Sequence, residues 1–311
     1  MPDIVISEFM DRGPADAVAG DYDVRYDPDL VDKPAELRAL LAQARALIVR
    51  NRTRVDRDLL SAAPRLKVVG RLGVGLDNID LSACEDRNVR VCPATGANDD
   101  AVAEWVIVTA MMLLRSAFLS KKACLEGAWP RGKCMGRESG GKILGLIGFG
   151  RIARAAAERA RCLHMSVVAY DPYVPPDDPA WKIARKVDAL PELLSAADIV
   201  SIHVPLTDET RHMIDAVVLA GMKSDAVLIN AARGGIVDEA AVVEALKENR
   251  LGGCALDVFE TEPLTREAAD IFRDVPNLVL TPHIAGVTIE SNGRVSQVTM
   301  DNVRRVLEES A

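Results

Sequence analysis

Lys142–Ala153 reads KILGLIGFGRIA, an apolar run that passes through Gly148-Phe149-Gly150-Arg151-Ile152-Ala153 into an alanine-rich stretch. That order predicts a strand, a glycine turn and a helix, with GxGxxG closed by alanine. The first glycine permits the tight turn, and the second lets the backbone approach a pyrophosphate. The small last residue lets the helix pack closely on the strand. Phosphates would meet free N–H groups and the positive dipole end at the helix N-terminus. The next apolar run ends at Asp171, twenty-one positions beyond Gly150. A carboxylate there accepts the adenosine ribose hydroxyls and repels a 2′-phosphate, and Pro172-Tyr173-Val174 supply no Arg to accommodate one. NAD, rather than NADP, is the expected cofactor.

Beyond Asp171, apolar runs recur at Ile199–His203, Ala226–Asn230, Gly253–Asp257 and Leu278–Thr281. With Lys142–Gly148 and Val167–Asp171 they make six strands, as a doubly wound dinucleotide fold needs. Upstream, Asp3–Ser7, Ala46–Arg50, Lys67–Arg71 and Val89–Cys92 read as buried strands, with helix or loop between them, notably at Pro34–Ala44 and Arg57–Ala63. Strand–helix alternation of this kind predicts α/β architecture with parallel sheets covered on both faces. Between the two series, Asn98–Leu125 is expected to form one long helix. Its acidic start and Lys121-Lys122 near its end suit the helix dipole. Being apolar on several sides, it reads as a crossing between domains, a subunit interface, or both. Ile289–Glu309 reads as a closing helix that can return to the first domain.

A chain of 311 residues is long enough for two domains with separate cores. Apolar residues make up 49% and aromatics only 4%, so the cores rest on Val, Ile, Leu and Ala. The balance of 38 basic and 46 acidic residues leaves −8, which argues against a nucleic-acid or anionic-membrane partner. It says nothing against a small anionic substrate. Cys84, Cys92, Cys124, Cys134, Cys162 and Cys254 form no CxxC pair, so they read as core hydrophobes or free thiols of a reducing compartment, and no metal is expected. MPDIVISEF lacks a basic n-region and a long apolar h-region, and no apolar stretch reaches the ~20 residues of a membrane span. A cytoplasmic protein is expected.

Three further stretches bring chemistry to strand ends. Asn230–Asp238 (NAARGGIVD) carries Arg233, Ala255–Pro263 (ALDVFETEP) carries Asp257 and Glu262, and Thr281–Gly286 (TPHIAG) carries His283. Ligands of open α/β sheets sit beyond those ends, so Arg233, Glu262 and His283 are candidates to converge. Arg offers a planar fork of donors that fits a carboxylate and polarises a neighbouring ketone. His titrates near neutrality, as a proton donor and acceptor must.

These stretches, with Gly70–Asp80 (GRLGVGLDNID) and His203–Thr207 (HVPLT), resemble the D-isomer-specific 2-hydroxyacid dehydrogenases over nearly the whole chain. The resemblance implies a Rossmann NAD-binding domain at 98–287, inserted into a flavodoxin-like substrate domain formed by 1–97 and 288–311. It implies Arg233 as carboxylate anchor, His283 as proton donor and acceptor, and Glu262 as the partner of His283. Around the cofactor it implies Gly148, Phe149, Gly150, Arg151, Ile152, Asp171, His203, Pro205, Ala231, Arg233, His283 and Gly286, with Asp257 on the nicotinamide amide. The Leu72-Gly73-Val74-Gly75 backbone would receive the substrate carboxylate, and a homodimer is implied, with Asn98–Leu125 contributing. Ala153 departs from the third glycine without harm to cofactor binding. The chain also ends soon after its closing helix, so control by a distal regulatory domain is not expected.

Arg50 and Arg52 follow one first-domain strand and Arg71 follows another, and one or two of these either bind a second anion on the substrate or stand as surface cations. The expected substrate is a compact three-carbon acid: 3-phosphoglycerate, glycerate/hydroxypyruvate or sulfolactate. A sulfur on C3 exchanges naming priorities, so an S sulfolactate keeps D-like geometry. Two alternatives stay open. A formate dehydrogenase-like enzyme would carry Gln where Glu262 stands, and an NADH-sensing corepressor-like protein would keep the pocket without turnover.

Overall fold

The computed structural model describes residues 2–116, 120–132 and 134–310. The chain divides into two compact units, Met1–Asn98 with Val287–Ala311, and Asp99–Gly286.

In the first unit β1 (Ile4–Ile6), β2 (Val24–Tyr26), β3 (Ala46–Val49), β4 (Val68–Arg71) and β5 (Arg90–Pro93) form one parallel sheet, ordered β2-β1-β3-β4-β5. This is the flavodoxin-like order. Alternate strand residues serve opposite faces. Val5, Leu47, Val49 and Val69 pack with Leu37 and Leu41 of helix Pro34–Leu41 and with Leu59 and Leu60 of helix Arg57–Ser61. Ile4, Ile6, Ala46, Ile48 and Val68 pack with Val303, Val306 and Leu307 of the closing helix Ile289–Glu309. With both faces covered, polar residues have no exposed side to occupy, and the strands read as unbroken apolar runs.

In the second unit β6 (Ile143–Ile147), β7 (Ser166–Tyr170), β8 (Arg185–Lys186), β9 (Ile199–Ile202), β10 (Val227–Asn230), β11 (Gly253–Leu256) and β12 (Leu278–Leu280) are again all parallel, ordered β12-β11-β10-β9-β6-β7-β8. Counted from β6 this is the dinucleotide order 3-2-1-4-5-6 with one more strand at the far edge. Leu144, Leu146, Ile199, Val227, Ile229 and Ala255 face the helices Asp99–Arg115 and Arg151–Cys162. Ala153, Ala156, Ala157 and Ala160 are fully buried there, and their small side chains let the two helices approach closely. Val200, Ile202, Leu228, Cys254 and Leu256 serve the opposite face with Leu193, Leu219, Val242 and Leu246.

Three sequence expectations change. Strands β2 and β8 went unread, because each is a short edge strand of three or two residues with no fully buried position and so no apolar run. The second sheet therefore has seven strands, not six. The single helix expected over Asn98–Leu125 is two, Asp99–Arg115 and Ser120–Leu125. Ser116 adopts a left-handed φ of +46°, which an α-helix does not continue through. Residues 117–119 of that expectation lie outside the described residues.

Candidate active site

Asn230 ends β10 and is 1% exposed. Its amide oxygen accepts from Ala232 N at 3.0 Å and its amide nitrogen donates to Arg233 O at 2.9 Å, which folds the turn carrying Arg233. The guanidinium returns to its own loop, Nη1 donating to Ala232 O at 2.6 Å. The next residue, Gly234, lies against the neighbouring loop, where an added Cβ would sit 1.7 Å from Phe259 O. Only glycine fits, so the loops carrying Arg233 and Glu262 touch backbone to backbone.

Asp257, also 1% exposed, follows β11. Oδ1 accepts from Thr281 Oγ1 at 2.6 Å and Ile284 N at 2.8 Å, and Oδ2 accepts from Ala285 N at 2.8 Å. Its main-chain carbonyl accepts from His283 N at 2.8 Å. These four bonds hold His283 at a left-handed φ of +55°, a conformation that costs about 1–2 kcal/mol in a non-glycine residue. His283 Nδ1 meets Glu262 Oε2 at 2.8 Å, and Glu262 Oε1 accepts from Phe259 N at 3.0 Å. Burial pushes the Glu262 carboxyl upward, but the bond to His283, the charge of His283, Phe259 N–H and the Arg233 charge together bring it below its usual range. Glu262 is thus an acceptor at neutral pH. It accepts a hydrogen bond from Nδ1–H, which leaves Nε2 as the ring nitrogen open to a ligand.

At the ends of β6 and β7 in the same sheet stand the groups expected around a nucleotide. Gly148 has φ +87°, and a Cβ there would strike His203 O at 2.6 Å, so the turn after β6 passes close under the end of β9. Gly150 caps the helix Arg151–Cys162 without a side-chain cap, and a Cβ added to it would meet nothing within 4 Å. The first-turn N–H groups thus have no side-chain cap and the space beside Gly150 is open, as a pyrophosphate requires. Asp171 Oδ2 accepts from Phe149 N at 2.8 Å and Oδ1 from Tyr173 N at 2.9 Å, leaving each oxygen a lone pair for a ribose hydroxyl. These groups fit NAD.

A family model described as the D-isomer specific 2-hydroxyacid dehydrogenase NAD binding domain matches residues 107–285. A (S)-sulfolactate dehydrogenase of Chromohalobacter salexigens is 54% identical over 307 residues, covering 99% of both chains. This chain belongs to the D-isomer-specific 2-hydroxyacid dehydrogenases. A D-3-phosphoglycerate dehydrogenase of Methanocaldococcus jannaschii is 37% identical across 88% of this chain, which spans 51% of that longer protein. Among solved structures, D-lactate dehydrogenase from Aquifex aeolicus, complexed with NAD and lactic acid, superposes with a TM-score of 0.86 at 28% identity, covering 98% of this chain and 95% of that one.

The dehydrogenase is thus an NAD-dependent enzyme that acts on small 2-hydroxy acids. Its other sequence-predicted residues distribute as follows. Pro205, Ala231 and Gly286 lie past the C-terminal ends of β9, β10 and β12, the same end of the sheet as Gly148 and Asp171. Arg151 Nε bonds Asp99 Oδ2 at 2.7 Å, and Ile152 follows it in the first helical turn. Phe149 offers only its main chain, since its ring is fully buried and stacked 4.9 Å from Trp181. Burial pulls His203 down to about 4, so it is neutral, and its Nε2 meets Ser201 Oγ at 3.0 Å.

In the first unit of this dehydrogenase, Arg50 and Arg52 follow β3 while Leu72-Gly73-Val74-Gly75 follows β4, again at strand C-terminal ends. Leu72 is buried, Val74 is exposed, and Gly73 takes φ +144°. Arg52 grips Asp32 at the surface. Arg50 is partly buried, and its Nη2 donates to the Asn292 amide oxygen at 3.2 Å. Sequence reasoning missed Asn230 and Thr281, whose side chains build the loops around Arg233 and His283. It also missed Glu8 and Asn292, which surround Arg50. Only Glu8 left a trace, an acidic residue inside the apolar start IVISEFM.

Proposed function

We propose that this dehydrogenase interconverts a three-carbon 2-hydroxy acid bearing a second anion on C3 with its 2-keto acid, sulfolactate being the preferred member. Arg50 carries this reading. Its guanidinium is shielded from water and bonded to a neutral amide, and among the described residues no carboxylate lies within ion-pair distance of it. Glu8 reaches that charge only through space and without an ion pair, so the partly desolvated cation keeps capacity for an anionic ligand. Near-full-length similarity to a sulfolactate dehydrogenase points the same way. An S product agrees with D-like delivery, since the C3 sulfur outranks the carboxylate.

In this proposal the second unit holds the cofactor. The Gly148–Gly150 turn and the following helix end take the pyrophosphate, and Asp171 takes the adenosine ribose. Arg50 and the Leu72–Gly75 backbone are assigned to the substrate. Arg233 clamps the substrate carboxylate and polarises the C2 ketone. When bound there, NADH would supply hydride to C2. His283 gives its Nε2 proton to the C2 oxygen, and Glu262 holds the ring by Nδ1 throughout. In the oxidative direction the neutral imidazole takes the hydroxyl proton. A carboxylate at 262 favours proton exchange over a formate-type reaction that has no proton to exchange, and an intact Arg233, Glu262 and His283 set favours turnover over sensing alone.

We also assign a homodimer to this chain, because Val108 and Met111 on helix Asp99–Arg115, with Leu125 and Trp129 beyond it, expose apolar surface. All six cysteines are free, which fits a reducing cytoplasm. Among the described residues no helix is long and apolar enough to cross a membrane.

The deciding experiment assays 3-sulfopyruvate, 3-phosphohydroxypyruvate, hydroxypyruvate and pyruvate with NADH and NADPH in parallel. The expected result is the highest kcat/KM with 3-sulfopyruvate and NADH. A neutral keto acid that matches or exceeds it would overturn the substrate assignment.

A further inference from the structure

Glu8 stands two residues past β1 and is 4% exposed. Its Oε1 accepts from Arg50 N at 2.8 Å and Thr53 N at 2.9 Å, and its Oε2 from Arg52 N at 3.1 Å and Asn51 N at 3.3 Å. Four successive N–H groups thus converge on one carboxylate, the arrangement by which backbone nests bind anions. Asn78 Nδ2 ties the other side of the loop, donating to Thr53 O at 2.6 Å and Arg50 O at 3.3 Å. Burial pushes the Glu8 carboxyl upward, but the N–H groups of Thr53, Arg50 and Arg52 and the Thr53 hydroxyl more than offset it, so Glu8 stays ionised.

This nest is filled from within, so the N–H groups of loop 50–53 do not bind a substrate anion. Arg52 is also engaged, by Asp32. The loop is left with one cationic donor, the Arg50 guanidinium, whose orientation is set by Asn292 in the first turn of the closing helix. That helix start is itself fixed, with Thr288 Oγ1 accepting from Ser291 N at 3.0 Å. An amide oxygen directs the guanidinium without cancelling its charge. A carboxylate in the same place would form an ion pair and compete with the ligand.

We propose that Glu8 and Asn292 are positioning residues that set the preference for a second substrate anion, Glu8 by fixing the Arg50 backbone and Asn292 by aiming its guanidinium while leaving its charge to the ligand. This rests on Arg50 as the second-anion group. The readout is the ratio of kcat/KM for 3-sulfopyruvate over pyruvate, measured with NADH for the wild type, R50A, N292D and E8D. A merely structural loosening lowers both substrates together and leaves the ratio in place. N292D should lower the ratio roughly tenfold or more, chiefly through the KM for 3-sulfopyruvate, because the new carboxylate neutralises Arg50. E8D, which keeps the charge but shortens its reach, should lower the ratio several-fold. An unchanged ratio in R50A would remove the second-anion reading itself. A reduced ratio in R50A with N292D and E8D both within about twofold of wild type would leave that reading standing and overturn the roles of Glu8 and Asn292.

Discussion

Asp257 accepts four hydrogen bonds from the stretch Thr281–Ala285, and the histidine in that stretch sits in a backbone conformation it would not choose alone. Replacing Asp257 by Asn turns one acceptor oxygen into a donor facing another donor. D257N should lower stability by ~1–3 kcal/mol in urea titration, the cost of a buried group left unsatisfied, and should slow turnover as the histidine loop loosens. Unchanged stability and turnover would mean that these bonds do not hold the loop. At the other end of the site, Asp171 keeps one lone pair per oxygen for a ribose. D171A should shift the NADH-over-NADPH preference in kcat/KM by about tenfold toward NADPH, from lost charged hydrogen bonds and lost repulsion of the 2′-phosphate. A preference that stays put would unseat the ribose assignment.

Elements explain why some of this was legible in one sequence and some was not. Central strands such as β3 (ALIV, every residue buried) announce themselves, because a strand covered on both faces has no room for polar residues. The strand-end motifs were equally legible, since Arg233, Glu262 and His283 each follow an apolar run and a parallel sheet brings the ends of β10, β11 and β12 side by side. Edge strands β2 and β8 carry no such signature, and the break at Ser116 is a backbone event inside an otherwise helical composition. Glu8 and Asn292 were illegible for a different reason. They meet Arg50 from distant parts of the chain, with no local pattern to mark the meeting. The contact of Gly234 with Phe259 is also long-range, and it joins two loops into one body. G234A must push them apart, so kcat/KM should fall more than about tenfold and stability by ~1–3 kcal/mol, the usual cost of overpacking. Kinetics and thermal melts that match wild type would show that the contact is slack.

For the whole molecule, the excess of acidic groups makes low pH the informative stress, and Glu8 is a buried carboxylate whose lowered pKa comes chiefly from backbone donors. Its folded pKa lies below the ordinary 4.5, so its contribution to stability is full above that value and is lost as pH falls through the lowered folded pKa. The stability gap between wild type and E8Q in urea titrations should therefore be widest near neutrality and close progressively in acid. A gap independent of pH would mean that the charge of Glu8 does not support the loop.

Proton exchange through His283 is the central claim, and the H283Q variant tests it most directly when NADH affinity and steady-state turnover are measured on the same preparation. Turnover should fall by about 10²–10⁴-fold, the usual share of general acid–base catalysis, while NADH binds as in the wild type. Retained turnover, or loss of NADH binding in a folded variant, would contradict the assignment.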